Sequence, residues 1–218
     1  EMNSGNEMYL ELGRYSSDYQ KNKESGGIFS VQKFYIDQNY WAQQIEDATG
    51  ADVNRRWFVD GWRPSTVQRK VDNQKDTYRM VLGFRGELDS GWDWDTGIVI
   101  SKATMEDTTA NRISAIEFVA GLNDSTSAAI NPFSATDQGI ERALVDVYRN
   151  DTSKLRILDF KLSKPDVFST KAGDVAMLIG GEYRFESYVD DRDPLLDGTV
   201  QYTGYSGLTH PFVSAVIG

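Results

Sequence analysis

Eight charged residues stand at alternate positions inside otherwise apolar stretches: Arg79, Arg85 and Glu87, then Asp159 and Lys161, then Glu182, Arg184 and Glu186. Alternation puts each group on one face of a strand. Mixed acids and bases on such a face can pair with one another around a polar interior, or line the path of a polar solute. A second set is aromatic. Tyr40, Trp41, Trp57, Phe58, Trp62, Tyr202 and Tyr205 lie in polar segments. They can stack on a sugar or on a ring-bearing ligand, or pack small cores within long loops. A third set is acidic: Asp190, Asp191, Asp193 and Asp197. Their oxygens suit calcium, but the order of an EF-hand loop is missing, so an exposed acidic loop is expected and no metal site.

Catalytic chemistry finds little to work with. His210 is the only histidine, no G-x-S-x-G elbow accompanies it, and the chain has no cysteine. A serine triad, a thiol nucleophile, a disulfide framework and a zinc-thiolate site are therefore not expected. Gly180-Gly181 lies within a strand pattern and reads as a bend or a close backbone approach, not a phosphate loop. The expectation is a protein that is not an enzyme, without catalytic residues or cofactor.

These side chains need strands to hold them. The clearest are in residues 78–102, YRMVLGFRGELDSGWDWDTGIVISK. Tyr78, Met80, Leu82, Phe84 and Leu88 share one face, against Arg79, Arg85 and Glu87. After a turn at Asp89-Ser90-Gly91, Trp92, Trp94, Ile98 and Ile100 oppose Asp93, Asp95 and Ser101. Each arm has about eleven residues, enough for a tilted strand to cross a bilayer. Further strands are predicted at 8–15, 55–60, 155–164 and 175–190. Helices are predicted at 37–49, 111–122 and 137–148. Residues 16–27, 165–174 and 191–218 read as loops. The long connections (16–54, 103–154, 190 onward) alternate with short ones (89–91, 165–174), the asymmetry of an outer-membrane barrel.

Composition agrees with this reading. Mean hydropathy is −0.50, and no apolar run reaches the roughly eighteen residues of a membrane helix. An alternating strand leaves no such trace in hydropathy. The net charge of −10, from 33 acidic and 23 basic residues, argues against nucleic acid and anionic headgroups as partners.

The run DTYRMVLGFRGELDSGWDWDTGIVISK resembles a barrel hairpin of the TonB-dependent outer-membrane receptors. So does AGDVAMLIGGEYRFESY, a later strand. INPF at 130–133 resembles a phrase of one long extracellular loop, and RRWFVDGWRP the segment before the first hairpin. The resemblance covers about residues 54–193. It implies an all-β, antiparallel transmembrane β-barrel segment with short helices in long extracellular loops.

Residues 1–218 would then be part of a large plugged barrel, without signal peptide, plug domain or remaining strands. The implied function is active uptake. The full protein binds a scarce small molecule, sugar or peptide at the surface of a Gram-negative bacterium. It imports that substrate into the periplasm with energy from an inner-membrane complex. The implied partners are outer-membrane lipid, the plug and that complex. The eight charges would face lumen and plug, and the loop aromatics would meet substrate. Two other readings share much of the pattern: a passive porin-type channel, and a soluble β-rich carbohydrate-binding module.

Overall fold

In the computed structural model, residues 5–27, 34–53, 58–59, 61–136, 138–202 and 215–217 are described, without the side chains of Phe58 and Ile217. Their main feature is a set of long strands: β1 (Glu7–Glu24), β4 (Gln68–Glu87), β5 (Asp93–Ser114), β6 (Leu144–Thr170) and β7 (Gly173–Arg192). Between the first two lie β2 (Phe34–Tyr35), helix α1 (Tyr40–Thr49) and β3 (Phe58–Val59). Helix α2 (Ala115–Leu122) and a 3-10 turn (Ile140–Ala143) separate β5 from β6. Helix α3 (Pro194–Asp197) and β8 (Val216–Ile217) follow β7.

The long strands form one mostly antiparallel sheet in the order β1-β4-β5-β6-β7, with β8 on β5. The sheet is not closed. Cross-strand contacts show the direction. As β1 climbs through Glu7, Glu11, Arg14 and Gln20, its partners on β4 descend through Arg85, Arg79, Asp76 and Asp72. β2 pairs antiparallel with β3, Phe34 opposite Val59. Asn111 is the only described non-glycine residue at positive φ, 61°.

Several expected boundaries are corrected. The strands are not eleven-residue arms: β4 has 20 residues and β5 has 22. Residues 16–24, expected as loop, continue β1, because Gln20 reaches Asp72 at 2.8 Å and Arg69 donates to the Glu24 carbonyl at 2.9 Å. Residues 103–114, expected as a connection, continue β5. The helix predicted at 111–122 begins only at Ala115, where Ser114 caps it.

The helix predicted at 137–148 is absent. A 3-10 turn ends at Ala143 and β6 begins at Leu144, tied to β5 by the Asn111 N–H on the Asp146 carboxylate (3.1 Å). The link predicted at 165–174 is strand apart from a turn at Lys171-Ala172. Pro165 is tolerated there because β5 starts only at Asp93. Lys164 already reaches the carbonyl of turn residue Ser90 at 2.8 Å, so no ladder bond is demanded of Pro165 on that side.

The residues fall into two compact units. The first is Glu1–Asp18, Gln74–Glu106 and Asn150–Asp190. It is pure sheet, and Val81 is its one buried hydrophobic residue among those described. The second is Tyr19–Asn73, Asp107–Arg149 and Asp191–Gly218. It holds a core of Phe34, Ile36, Ile113, Phe118, Leu122, Ile130 and Ile140. Phe34 meets Phe118 edge-on at 5.2 Å.

An ion pair braces this second unit. Arg142 donates to Asp124 at 2.7 Å, and together with Thr126 it holds the Asp124 carboxyl down at about 2. A depressed carboxyl stabilises the fold above its unfolded value and loses that effect as pH falls toward 2. The stability difference between wild type and Asp124→Asn is therefore expected to be full at pH 5 and to shrink toward pH 2. Denaturant midpoints at the two pH values measure it, and a difference constant with pH would remove the role of the charge.

Candidate functional site

The charged face of the first unit is assembled from strands distant in sequence. On β4, Arg79 and Arg85 alternate with Met80, Leu82 and Phe84. Glu7 pairs with Arg85 at 2.7 Å, and Glu11 with Arg79 at 3.6 Å. Between these pairs Tyr9 lies across Gly83, where any Cβ would overlap its ring. Glycine is therefore required at 83 for the strands to approach with the ring between them. The Arg85 guanidinium stands 5.9 Å from the Tyr9 centroid.

The same face continues over β5 and β6. A Cβ at Gly97 would lie 3.5 Å from an Asp159 carboxylate oxygen and 3.6 Å from the Tyr9 hydroxyl. On β7, Arg184 bridges Glu182 (2.8 Å) and Glu186 (3.2 Å). The close approach expected at Gly180 is present: a Cβ there would lie 3.0 Å from the Phe160 carbonyl. Arg85, Glu87 and Lys161 line one open cleft of about 430 Å³ with Glu7, Asp93 and Asp95.

Sequence reasoning did not single out Glu7, Tyr9 and Glu11 as part of this face. Their alternation was visible, but their partner strand lies beyond a long connection. Each arginine of this face is held by a carboxylate, and acidic side chains outnumber basic ones. The face can bind polar groups by exchanging those partners.

The aromatic set is dispersed. Trp62 packs on Phe118 at 5.7 Å and Tyr202 on Phe34 at 5.9 Å, so both belong to the core of the second unit. Burial raises the Tyr202 phenol above its ordinary value. Trp41 donates its indole N–H to the Ala129 carbonyl at 3.0 Å, with Tyr40 edge-on at 5.0 Å. Tyr40 also borders a cleft of about 560 Å³ with Gln43 and Gln44. Trp57, Tyr205 and His210 lie outside the described residues. In the acidic segment, Asp193 caps α3 by accepting the Leu195 N–H at 2.9 Å, and Asp197 accepts the Thr199 N–H at 2.7 Å. Among the described residues no group of three or more His, Cys, Asp or Glu could hold a metal ion.

The opposite face of the sheet is apolar and open. Met8, Leu10, Leu12, Ile98, Ile100, Leu158, Phe160, Ile179 and Phe185 are all exposed, Leu12 at 74% and Leu158 at 51%. Trp94 lies beside Gly86, its indole nitrogen 3.1 Å from where a Cβ would stand. On β6 Leu158 and Phe160 are exposed, while Asp159 between them is half-buried. No helix among the described residues is long and apolar enough to cross a membrane, which says nothing about strands. The chain matches no family model, no curated protein and no solved structure.

Proposed function

We propose that this chain is part of a transmembrane β-barrel of a Gram-negative outer membrane. In this reading its apolar face meets lipid and its charged face meets the lumen. The observation that carries it is the uncovered apolar face of the first unit's sheet. Large apolar residues lie exposed on one face and charged residues on the other, and Val81 is the one buried hydrophobic residue there among those described. A water-soluble sheet covers its apolar face with a core. The connections support the same reading. Both short turns, Leu88–Trp92 side and Lys171-Ala172, join strands of the first unit, and the long ones fold into a core of their own.

The strands outlast the apolar band. At about 3.3 Å per residue, the 20 residues of β4 exceed a hydrocarbon layer of roughly 25–30 Å, so only the stretch from Tyr78 to Leu88 need cross it. Strands β1 and β7 end the sheet order, and a barrel requires further strands to pair them. We assign those strands, and the plug that fills a barrel of this size, to the complete protein. With the resemblance to TonB-dependent receptors, the function is energised import of a small molecule, sugar or peptide, with no catalytic step.

The absence of cysteine from the chain gives a direct test. Single cysteines replace Ile98, Leu158 and Ile179 on one face, and Asp159 and Glu182 on the other, in the complete protein in native membranes. A lipid-soluble maleimide is expected to label the first three, and a charged one the last two. Uniform labelling by the charged reagent would leave a soluble β module.

A further inference from the structure

We propose that Arg112 and Arg69, neighbours on β5 and β4, form a binding site for a phosphate group. Both lie in the second unit, so the site does not depend on the membrane reading above. Arg112 Nε is buried and has no hydrogen-bond partner among the described residues. Nor does the Arg112 guanidinium meet a carboxylate among them. Arginine does not lose its proton in proteins, so its burial cannot be relieved by neutralising the group. A buried cation without a partner is destabilising, and an anion from outside the chain offsets that.

The carboxylates on the surrounding strands are directed elsewhere. Asp146 accepts the Asn111 N–H at 3.1 Å. Asp107 accepts the Asn73 amide at 3.0 Å, Asp72 the Gln20 amide at 2.8 Å, and Glu24 meets Arg63 at 3.0 Å. In a chain with 33 acidic residues against 23 basic ones, an arginine finds a carboxylate easily unless its position excludes one. Asn111 sets that position. Its left-handed backbone (φ 61°) interrupts the alternation of β5, and Ile113, Ser114 and Ala115 beyond it are all buried. The Asn111 side-chain amide donates to the Gln68 carbonyl at 2.9 Å, which brings Arg112 next to Arg69 across the two strands.

Arg69 adds a second positive group, not a counter-charge. Its Nε donates to the Glu24 carbonyl at 2.9 Å, which holds the guanidinium in place. Burial first, and then the Arg69 charge, push the Arg112 guanidinium down from its ordinary pKa. Both arginines are half-buried, so part of each is open to an incoming ligand. Neighbouring strands lie about 4.8 Å apart, a spacing at which two guanidinium groups can share the oxygens of one phosphate. A doubly charged phosphate offsets both cations, whereas a carboxylate offsets one. The ligand is therefore a phosphate group, as the free ion or carried by a small solute.

The test uses the complete protein in neutral detergent at constant ionic strength, with inorganic phosphate as probe and heat unfolding as readout. The wild-type midpoint is expected to rise with phosphate and to saturate, and to stay unchanged with acetate. Lys70→Gln, a charge lost from an exposed neighbour, is expected to respond like wild type. Arg112→Met keeps an apolar stem and removes the unpaired charge. It is expected to unfold no earlier than wild type without phosphate, and to bind phosphate about ten- to one-hundredfold more weakly. Arg69→Gln is expected to weaken binding as well. A flat phosphate response in wild type would overturn the proposal, as would an equal response to acetate or an Arg112→Met variant that binds normally. An Arg112→Met variant less stable than wild type without phosphate would make Arg112 a packing residue and overturn it too. Methyl phosphate bound like inorganic phosphate places the group on a larger solute, and its rejection leaves the free ion; either result supports the site.

Discussion

On the membrane reading proposed above, Leu82→Arg is expected to destabilise the inserted protein by about 2–4 kcal/mol, whereas Arg85→Leu, three residues along the same strand, leaves insertion nearly unchanged. The difference comes from facing. Gly83 and Arg85 lie on the side of Tyr9 and Glu7, so Leu82 and Phe84 lie on the other. Leu82 falls in the middle of the apolar stretch from Tyr78 to Leu88, where on that reading a guanidinium would face hydrocarbon. Arg85→Leu removes an ion pair whose partners are both more than half exposed, at 59% and 63%, and such pairs contribute little. Folding of the complete protein into neutral vesicles, titrated with urea, measures both. Equal losses would sink the assignment of faces.

The assignment rests on the part of the fold that was most legible. From 78 to 102 the apolar and charged residues alternate with strong contrast, and period two has one structural meaning there. Elsewhere the pattern was ambiguous or silent. Ile140, Ala143, Leu144 and Val147 fit a helical stripe, yet Leu144, Asp146 and Tyr148 also alternate with Val145 and Val147. The choice fell to strand because β5 offers a partner, through Asn111, that a sequence window does not contain. Residues 16–24 alternate nothing. They are strand because β4 runs beside them, and their polar side chains pair across the gap.

The charged face followed the same division. Its eight residues could be picked out from alternation within each strand. Tyr9 and Glu7 belong with them only through the pairing of β1 with β4, which no local signal announces. The aromatic residues show the opposite limit. Composition marks Trp62 and Tyr202 as able to stack on a ligand, but their stacking partners are Phe118 and Phe34 of the same chain.

One residue holds the second unit together in a way its type alone foretells only in part. Asparagine is a good helix cap, and Asn39 accepts the N–H groups of Trp41 and Ala42 at the start of α1, at 2.9 and 3.1 Å. Helix α1 accordingly starts at Tyr40, not at residue 37 as predicted. Asn39 is also fully buried, and its amide donates to the carbonyls of Leu122 (2.6 Å) and Ile130 (2.9 Å). It thus ties the start of α1 to the end of α2 and to the loop beyond.

Asn39→Ala loses the cap, roughly 0.5–2 kcal/mol. It also strands two buried carbonyls, each costing about 1–3 kcal/mol. Together about 2.5–8 kcal/mol is expected, read from hydrogen exchange of the α1 and α2 amides. Asn39→Asp separates the two roles. It keeps the acceptor for the helix but has no donor for Leu122 and Ile130, and it turns a negative charge toward their oxygens. It is expected to be at least as damaging as alanine. An aspartate variant as protected as wild type would reduce Asn39 to a cap.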